Sequence, residues 1–430
     1  MLALETKIVP DRPRVLSTNA ETEVKILFNA WPSTELRSLK IDSIDTAICL
    51  VFDCSSSMLQ EKKLETAIES ANMIVDIVPE SQKFSFIAFG SKIFNLVDNV
   101  HPTADAKESI KGEIASLPSI AGGSTNMGDA LRDGIKVLRR SKSSAKVLIL
   151  LSDGAADFPE AAERAAEDAV KENIQVFAVG IGTNYEAPAL LKLVKFTNGA
   201  VFGDADATKI KETFNVLINR VESFVITNAK LDITFNAAVQ AGLSYKTSPE
   251  QAFLGNTVPD ANHTVHFNVG NIERDKSYSF LVITALPQWD ARPFEVCSVK
   301  WTFDVPPQGL KNVVQESVCM VEYTKNRKDT EAVSGEVLEV FRRANITQLA
   351  ERFVEAYKLH QNEQCAKYLR ILSRRYEEIG DVSNANHYRQ VLEDLLSSGQ
   401  ISNEVLNATV VASTVVSSGG ELPSIVDDSF

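Results

Sequence analysis

The stretch AICLVFDCSSSM (47–58) decides the architecture: six apolar residues run into an acid, a cysteine and three serines. The run is too short for a helix and suits a strand buried on both faces. Three more runs share its texture, FSFIAF (84–89), KVLILL (146–151) and QVFAVG (175–180). Between them the apolar residues fall at helical spacing. Leu64, Ile68, Ala71, Ile74 and Val75 form one stripe, and Met127, Ala130, Ile135 and Leu138 another. Pro159 opens a third helix, where its missing N–H costs nothing, and residues 187–196 and 210–221 supply two more. This alternation over residues 44–222 predicts an α/β doubly wound, Rossmann-like layer: a mostly parallel sheet with helices on both faces.

Outward from that block the period changes to two. Val24, Ile26 and Phe28 alternate with polar neighbours before it. After it come Leu231, Ile233 and Phe235, then Val265, Phe267 and Val269, then Cys297, Val299, Trp301, Phe303 and Val305. YSFLVITAL (278–286) and SVCMVEY (317–323) add two strands. A few N-terminal strands cannot stand alone in water. Residues 1–43 and 223–325 are therefore expected to form one β-sandwich into which the α/β block is inserted. Residues 330–400 turn helical, with stripes at Leu349, Phe353, Ala356 and Tyr357 and at Cys365, Leu369 and Leu372. Gly380 and Gly399 stand where helix C-caps want them. Three or four short helices packed as a hairpin or bundle are expected there. Residues 408–430, Ser-rich with an acidic end, read as either a flexible tail or one added strand.

Composition narrows the function. The 430 residues carry a formal charge of −13, the wrong sign for tracking a phosphate backbone, so no nucleic-acid partner is expected. Five scattered cysteines (Cys49, Cys54, Cys297, Cys319, Cys365) make no CxxC pair and are too few for a disulfide scaffold. Reduced thiols in a cytoplasmic protein are the simplest expectation. The start, MLALETKIVPDRPR, lacks the basic region and apolar run of a signal peptide, and no stretch reaches the ~18 apolar residues of a membrane span. The N-x-S/T triplets at Asn262, Asn345 and Asn407 are read as chance.

The chemistry gathers where strands end. Asp53, Ser55 and Ser57 place three oxygen donors in D-x-S-x-S spacing at the mouth of the first buried strand. Thr125 lies in AGGSTNMGDAL, a glycine-bearing loop that opens a helix, and Asp153 follows the strand of LILLSDG. In an open α/β sheet such carboxyl-end loops share one crevice. Five oxygen ligands from three loops, with a sixth position left over, suit octahedral Mg²⁺, although oxygen donors separate it only weakly from Mn²⁺ or Ca²⁺.

This ordered set resembles the von Willebrand factor A (VWA) domain with its metal-ion-dependent adhesion site (MIDAS), over residues 44–222. The resemblance implies that Ser55, Ser57 and Thr125 bind the metal directly or nearly so and that Asp53 and Asp153 often act through water. It also implies that an Asp or Glu from a partner protein fills the open position, so that the chain is a non-enzymatic, metal-dependent protein-protein interaction module or scaffold. By resemblance to signalling A domains, the helix at 210–221 would report occupancy to the flanking strands. Beyond the motif, the layout resembles bacterial-type VWA proteins related to the inter-alpha-trypsin inhibitor heavy chains and calcium-activated chloride channel regulators. Cys54 departs from the pattern. It is either a redox handle or, the preferred reading, a small side chain packed under the loop. Asp129 is either an outer group orienting a water or an exposed first-turn acid.

The alternative is a haloacid-dehalogenase-like phosphohydrolase using Asp53 and Mg²⁺, since Asp153 and Asp157 mimic its D-x-x-x-D metal motif. That chemistry needs a second Asp two residues after the first as general acid, and Ser55 stands there. No G-x-S-x-G elbow or G-K-[ST] loop is present. His263 and His266 read as surface residues rather than zinc ligands.

Overall fold

The structure is a computed structural model. It describes residues 3–414 apart from 18–19, 40–42, 61, 155, 183–184 and 205–206. The chain opens with β1 (Leu4–Pro10), β2 (Arg14–Leu16), β3 (Thr22–Pro32) and the short helix α1 (Thr34–Ser38). The next segment alternates: β4 (Thr46–Asp53), α2 (Lys63–Ile77), β5 (Lys83–Phe89), β6 (Ile93–Val100), α3 (Ala104–Ala115), α4 (Met127–Arg140), β7 (Ala145–Ser152), α5 (Pro159–Lys171), β8 (Gln175–Ile181), α6 (Ala187–Val194), β9 (Val201–Asp204) and α7 (Ala207–Glu222). Strands return as β10 (Phe224–Phe235), β11 (Gln240–Ser248), β12 (Ala252–Asn256), β13 (Thr264–Glu273), β14 (Tyr278–Leu286), β15 (Pro293–Val305) and β16 (Leu310–Thr324). Four helices close the described chain: α8 (Gly335–Lys358), α9 (Asn362–Glu378), α10 (Val382–Ser398) and α11 (Asn403–Thr414).

The alternating segment forms one six-stranded sheet in the order β6-β5-β4-β7-β8-β9, parallel except for the antiparallel edge β6. All eight residues of β4 are buried. Its side chains divide between two cores by the strand period of two. Ala47, Cys49 and Val51 pack with α4, α5 and α6, while Ile48, Leu50 and Phe52 pack with α2, α3 and α7. β4 is followed by a helix on one face and β7 by a helix on the other. The carboxyl ends of these two neighbours therefore enclose the switch-point crevice where open α/β sheets bind ligands.

The remaining strands form two five-stranded sheets, β1-β3-β14-β11-β12 and β13-β10-β15-β16-β2. β3 pairs antiparallel with β14 over nine residues, from Tyr278 opposite Ala30 to Leu286 opposite Thr22. The two sheets share one apolar cluster, with Ile26 and Phe28 from one side and Leu231, Ile233 and Trp301 from the other. The stacked rings of Phe267 and Phe280, 5.0 Å apart, join them. The N-terminal strands thus divide between both sheets.

The C-terminal helices correct two expectations. The flexible tail expected from residue 408 does not begin there, because α11 runs to Thr414 and buries Asn407, Thr409 and Val410. Residues 415–430 lie outside the described residues. Nor are the helices all short, since α8 has 24 residues. Its first half lays Val337, Phe341 and Ala344 on Leu27, Tyr245 and Leu281 of the first five-stranded sheet. Its second half packs Leu349 and Phe353 into the cluster that also holds Cys365, Leu369 and Leu372 of α9 and Leu190 of α6. Gly399 caps α10 with φ 71°, and Gly380, with φ 80°, follows α9 in the same left-handed conformation. Asn407 ties α11 to the α/β layer by accepting from the Ala187 amide at 3.1 Å and donating to the Tyr185 carbonyl.

Candidate metal centre

Asp53 is the last residue of β4 and fully buried. Both its oxygens are engaged. Oδ1 accepts from the Ser55 amide at 2.9 Å, and Oδ2 accepts from the Ser152 hydroxyl at 2.6 Å. That hydroxyl in turn accepts from the Gly154 amide at 2.9 Å, so the β4 and β7 ends are fastened through it. Ser55 and Ser57 lie with hydroxyls 3.1 Å apart, Ser55 buried and Ser57 half-buried. Burial is the main influence on Asp53 and raises it to about 6; the hydrogen bonds from Ser152 and Ser55 oppose the rise, and the charge of Asp153 adds to it. An anion so placed gains most from a nearby cation.

Thr125 is buried in the loop before α4. That loop is clasped to the serine loop: Gly122 donates to the Cys54 carbonyl at 2.7 Å, and Gly123 to the Ser56 hydroxyl at 2.8 Å. Gly123 sits at φ +81°, and a Cβ there would come within 2.0 Å of the Ser91 hydroxyl in the turn after β5, so glycine suits the position. Asp157 holds the loop from the other side, accepting from the Thr125 amide at 2.9 Å. It therefore anchors Thr125 where the phosphohydrolase reading would make it a metal ligand.

Asp153 is buried, and its two oxygens differ. Oδ2 lies 3.2 Å from the Lys63 ammonium, and Oδ1 has no hydrogen-bond partner among the described residues. A buried carboxylate oxygen left unpaired marks a place for a missing electropositive group. The donor set of two carboxylates and three hydroxyls consists wholly of hard oxygen atoms, as Mg²⁺ and Ca²⁺ prefer. Among the described residues no three His, Cys, Asp or Glu side chains gather into a metal cluster, so any site here depends on its hydroxyls.

The structure thus joins Asp53, Ser55, Ser57 and Asp153 at the β4–β7 crevice and brings the Thr125 loop against them. Sequence reasoning missed Ser152 and Lys63. Ser152 had a faint signal, a hydroxyl ending an otherwise apolar strand. Lys63 had none, since a lysine at a helix start reads as solvated. Cys54 is fully buried, and its thiol contacts the Phe89 carbonyl at 3.0 Å, which places it under the loop. Asp129 is half-exposed and paired with Arg132 and Asn126, a first-turn surface acid. His266 is exposed between Asp232 and Asp260.

Residues 47–216 match the von Willebrand factor type A domain. The chain contains a VWA domain. A solved von Willebrand factor type A protein from Catenulispora acidiphila superposes with a TM-score of 0.79 at 17% identity, covering 95% of this chain and 96% of that one. The likeness of fold therefore extends through the flanking sheets and C-terminal helices. An uncharacterized protein of Synechocystis is 23% identical over 72% of this chain and 74% of its own length. Bovine inter-alpha-trypsin inhibitor heavy chain H3 is 25% identical over 45% of this chain but only 24% of the heavy chain. VWA domains commonly serve as protein-interaction modules and are typically non-enzymatic. Among the described residues no helix is long and apolar enough to cross a membrane.

Proposed function

We propose that the VWA domain captures an Asp or Glu side chain of a partner protein through one divalent cation, Mg²⁺ by preference, held by Asp53, Ser55, Ser57, Thr125 and Asp153 as a MIDAS. The observation that carries this reading is the pair of incompletely neutralised carboxylates in one crevice: Asp53, buried and raised, and Asp153, with Oδ1 unpaired. The bound cation would supply a Lewis-acidic position that an outside carboxylate can complete. The chain's own groups do the rest. Ser152 and the Ser55 amide fix the Asp53 carboxylate, the Gly122 and Gly123 amides draw the Thr125 loop toward the serines, and Asp157 keeps that loop from swinging out. Such preorganisation suits binding.

The test is an affinity capture with the whole chain in Mg²⁺ and in chelator, together with a thermal melt under both conditions. Capture and a Mg²⁺-dependent rise in melting temperature are expected for the native protein, and neither for Asp53→Ala. Partner binding that survives both chelator and Asp53→Ala would place recognition on another face.

A further inference from the structure

Lys63 is the first residue of α2, and the helix turns inward from Lys62, which has φ 60°. Its side chain is only 8% exposed, against the usual solvated position of a lysine at a helix start. The stem crosses Gly182, which has φ +88° and where a Cβ would lie 2.8 Å from the Lys63 Cε. A chain passing so close needs a residue without a side chain beneath it. The ammonium ends 3.2 Å from Asp153 Oδ2 and leaves Oδ1 unpaired.

Burying an ammonium is costly unless it is paired, so its place in a crevice read as a cation site requires a use. Charge provides one. Asp53 and Asp153 carry two negative charges, and Lys63 returns one. A divalent cation bound there would leave the site net positive by one unit, whereas without Lys63 it would be neutral. A positive charge beside the cation opposes cation binding, and the same charge favours an anion arriving from outside.

We propose that Lys63 is a built-in counter-charge of the crevice, which holds Asp153 by one oxygen, weakens the site for the divalent cation and strengthens the loaded site for a carboxylate ligand. This rests on the metal-binding reading above. It makes two effects of opposite sign, whereas a lysine that merely braced the loop would move both in the same direction.

The test uses the full chain, with Mn²⁺ as the probe cation and acetate as the probe carboxylate. Free Mn²⁺ measured by electron paramagnetic resonance gives the affinity, and quenching of water-proton relaxation by acetate reads the open position. Lys63→Gln keeps a donor for Asp153 and removes the charge; Lys63→Met removes both; Lys63→Arg keeps the charge. Removing the charge should tighten Mn²⁺ by about tenfold or more and raise the half-quenching acetate concentration several-fold. Lys63→Arg should stay within about threefold of the native protein on this scale. A circular-dichroism melt checks folding, and if Lys63→Met fails it, Lys63→Gln decides alone. Native Mn²⁺ binding that depends on Asp53 but is unchanged or weakened in Lys63→Gln overturns the role of Lys63 and spares the metal site. Absence of Asp53-dependent Mn²⁺ binding in the native protein overturns both.

Discussion

Arg220 on α7 offers the sharpest test of how the VWA layer is fastened to the five-stranded sheets. Its guanidinium donates to Glu273 Oε1 at 2.9 and 2.7 Å and to Glu250 Oε1 at 2.6 Å, and it lies 5.3 Å from the ring centre of Phe177 on β8. Lys246 is the second cation, 3.4 Å from Glu250 Oε2. A buried carboxylate, Glu273, and a half-buried one, Glu250, thus face Arg220 and Lys246. Arg220→Met keeps most of the stem volume but takes from those carboxylates the cation that bonds both of them. Removing one member of a buried pair costs about 3–5 kcal/mol, most of it from the charge left behind. Burial already raises Glu273 in the native protein, with Arg220 opposing the rise. Without Arg220 its folded-state pKa climbs further above the unfolded value. A carboxyl with a raised folded pKa contributes most when protonated, below the unfolded pKa, and loses that contribution as pH rises through the folded pKa. The destabilisation should therefore be largest near pH 8 and shrink toward pH 5. Urea titrations at both pH values, with hydrogen exchange across α7 and β13, would measure it. A loss under about 1 kcal/mol, or one of equal size at both pH values, would refute the assignment of the network as a charge-balanced clamp.

Three further outcomes follow from packing. Cys54, buried and with its thiol pushed up to about 12, should resist iodoacetamide at pH 8 in the folded chain, and modification at the rate of a free thiol would return it to a redox role. Asn407→Ala strips the Ala187 amide and the Tyr185 carbonyl of a buried partner, so hydrogen exchange in α11 and at the start of α6 should quicken by about 1–3 kcal/mol of local stability, with protection unchanged in α2. Deleting residues 1–32 removes β1, β2 and β3 and bares the edge of β14. Limited proteolysis should then cut within residues 224–324 while residues 44–222 persist, and an intact β-region would show that the N-terminal strands are dispensable to it.

The central layer was legible because both of its signals are local. Strands such as β4 and β7, buried on both faces, must be continuously apolar, and their covering helices must carry one apolar stripe each. β6 was not foreseen, because as an edge strand it mixes Phe94 and Leu96 with Asn95, Asp98 and Asn99, and one polar side costs nothing there. The length of α8 was missed for a related reason. It meets a sheet with one face and helices with another, so no single stripe marks it. Asp53, Ser55 and Ser57 could be nominated because their spacing is carried by the chain itself, and Thr125 and Asp153 because one lies in a glycine-bearing loop that opens a helix and the other follows a buried strand. Lys63, Ser152 and the anchoring role of Asp157 were not, because no local pattern marks them and each is recognised only by what it touches, 32 to 99 residues away.

The arrangement of the flanking elements bears on what the crevice can do. The chain enters the six-stranded layer at the amino end of β4 and leaves by α7 directly into β10. Contacts to the second five-stranded sheet cluster at that same pole. Asn268 donates to the Val170 carbonyl and Asn271 to Gln175, the first residue of β8. The C-terminal helices meet the layer through α6, where Asn407 of α11 holds Ala187, the first residue after the carboxyl-end loop of β8. Asp53, Ser55 and Asp153 lie at the opposite, carboxyl end. There the rim carries Leu59 at 54% and Phe158 at 67% exposure, two apolar side chains that nothing else in the described chain covers. Solvated singly, such residues would call for no explanation. Flanking a crevice that contains two carboxylates, they would, on the capture proposed above, give the neighbours of an incoming acidic side chain an apolar surface to dry on. Among the described residues, then, the strands of the second five-stranded sheet meet the layer at its amino pole, and Leu59 and Phe158 stay uncovered at the carboxyl end beside Asp53 and Asp153.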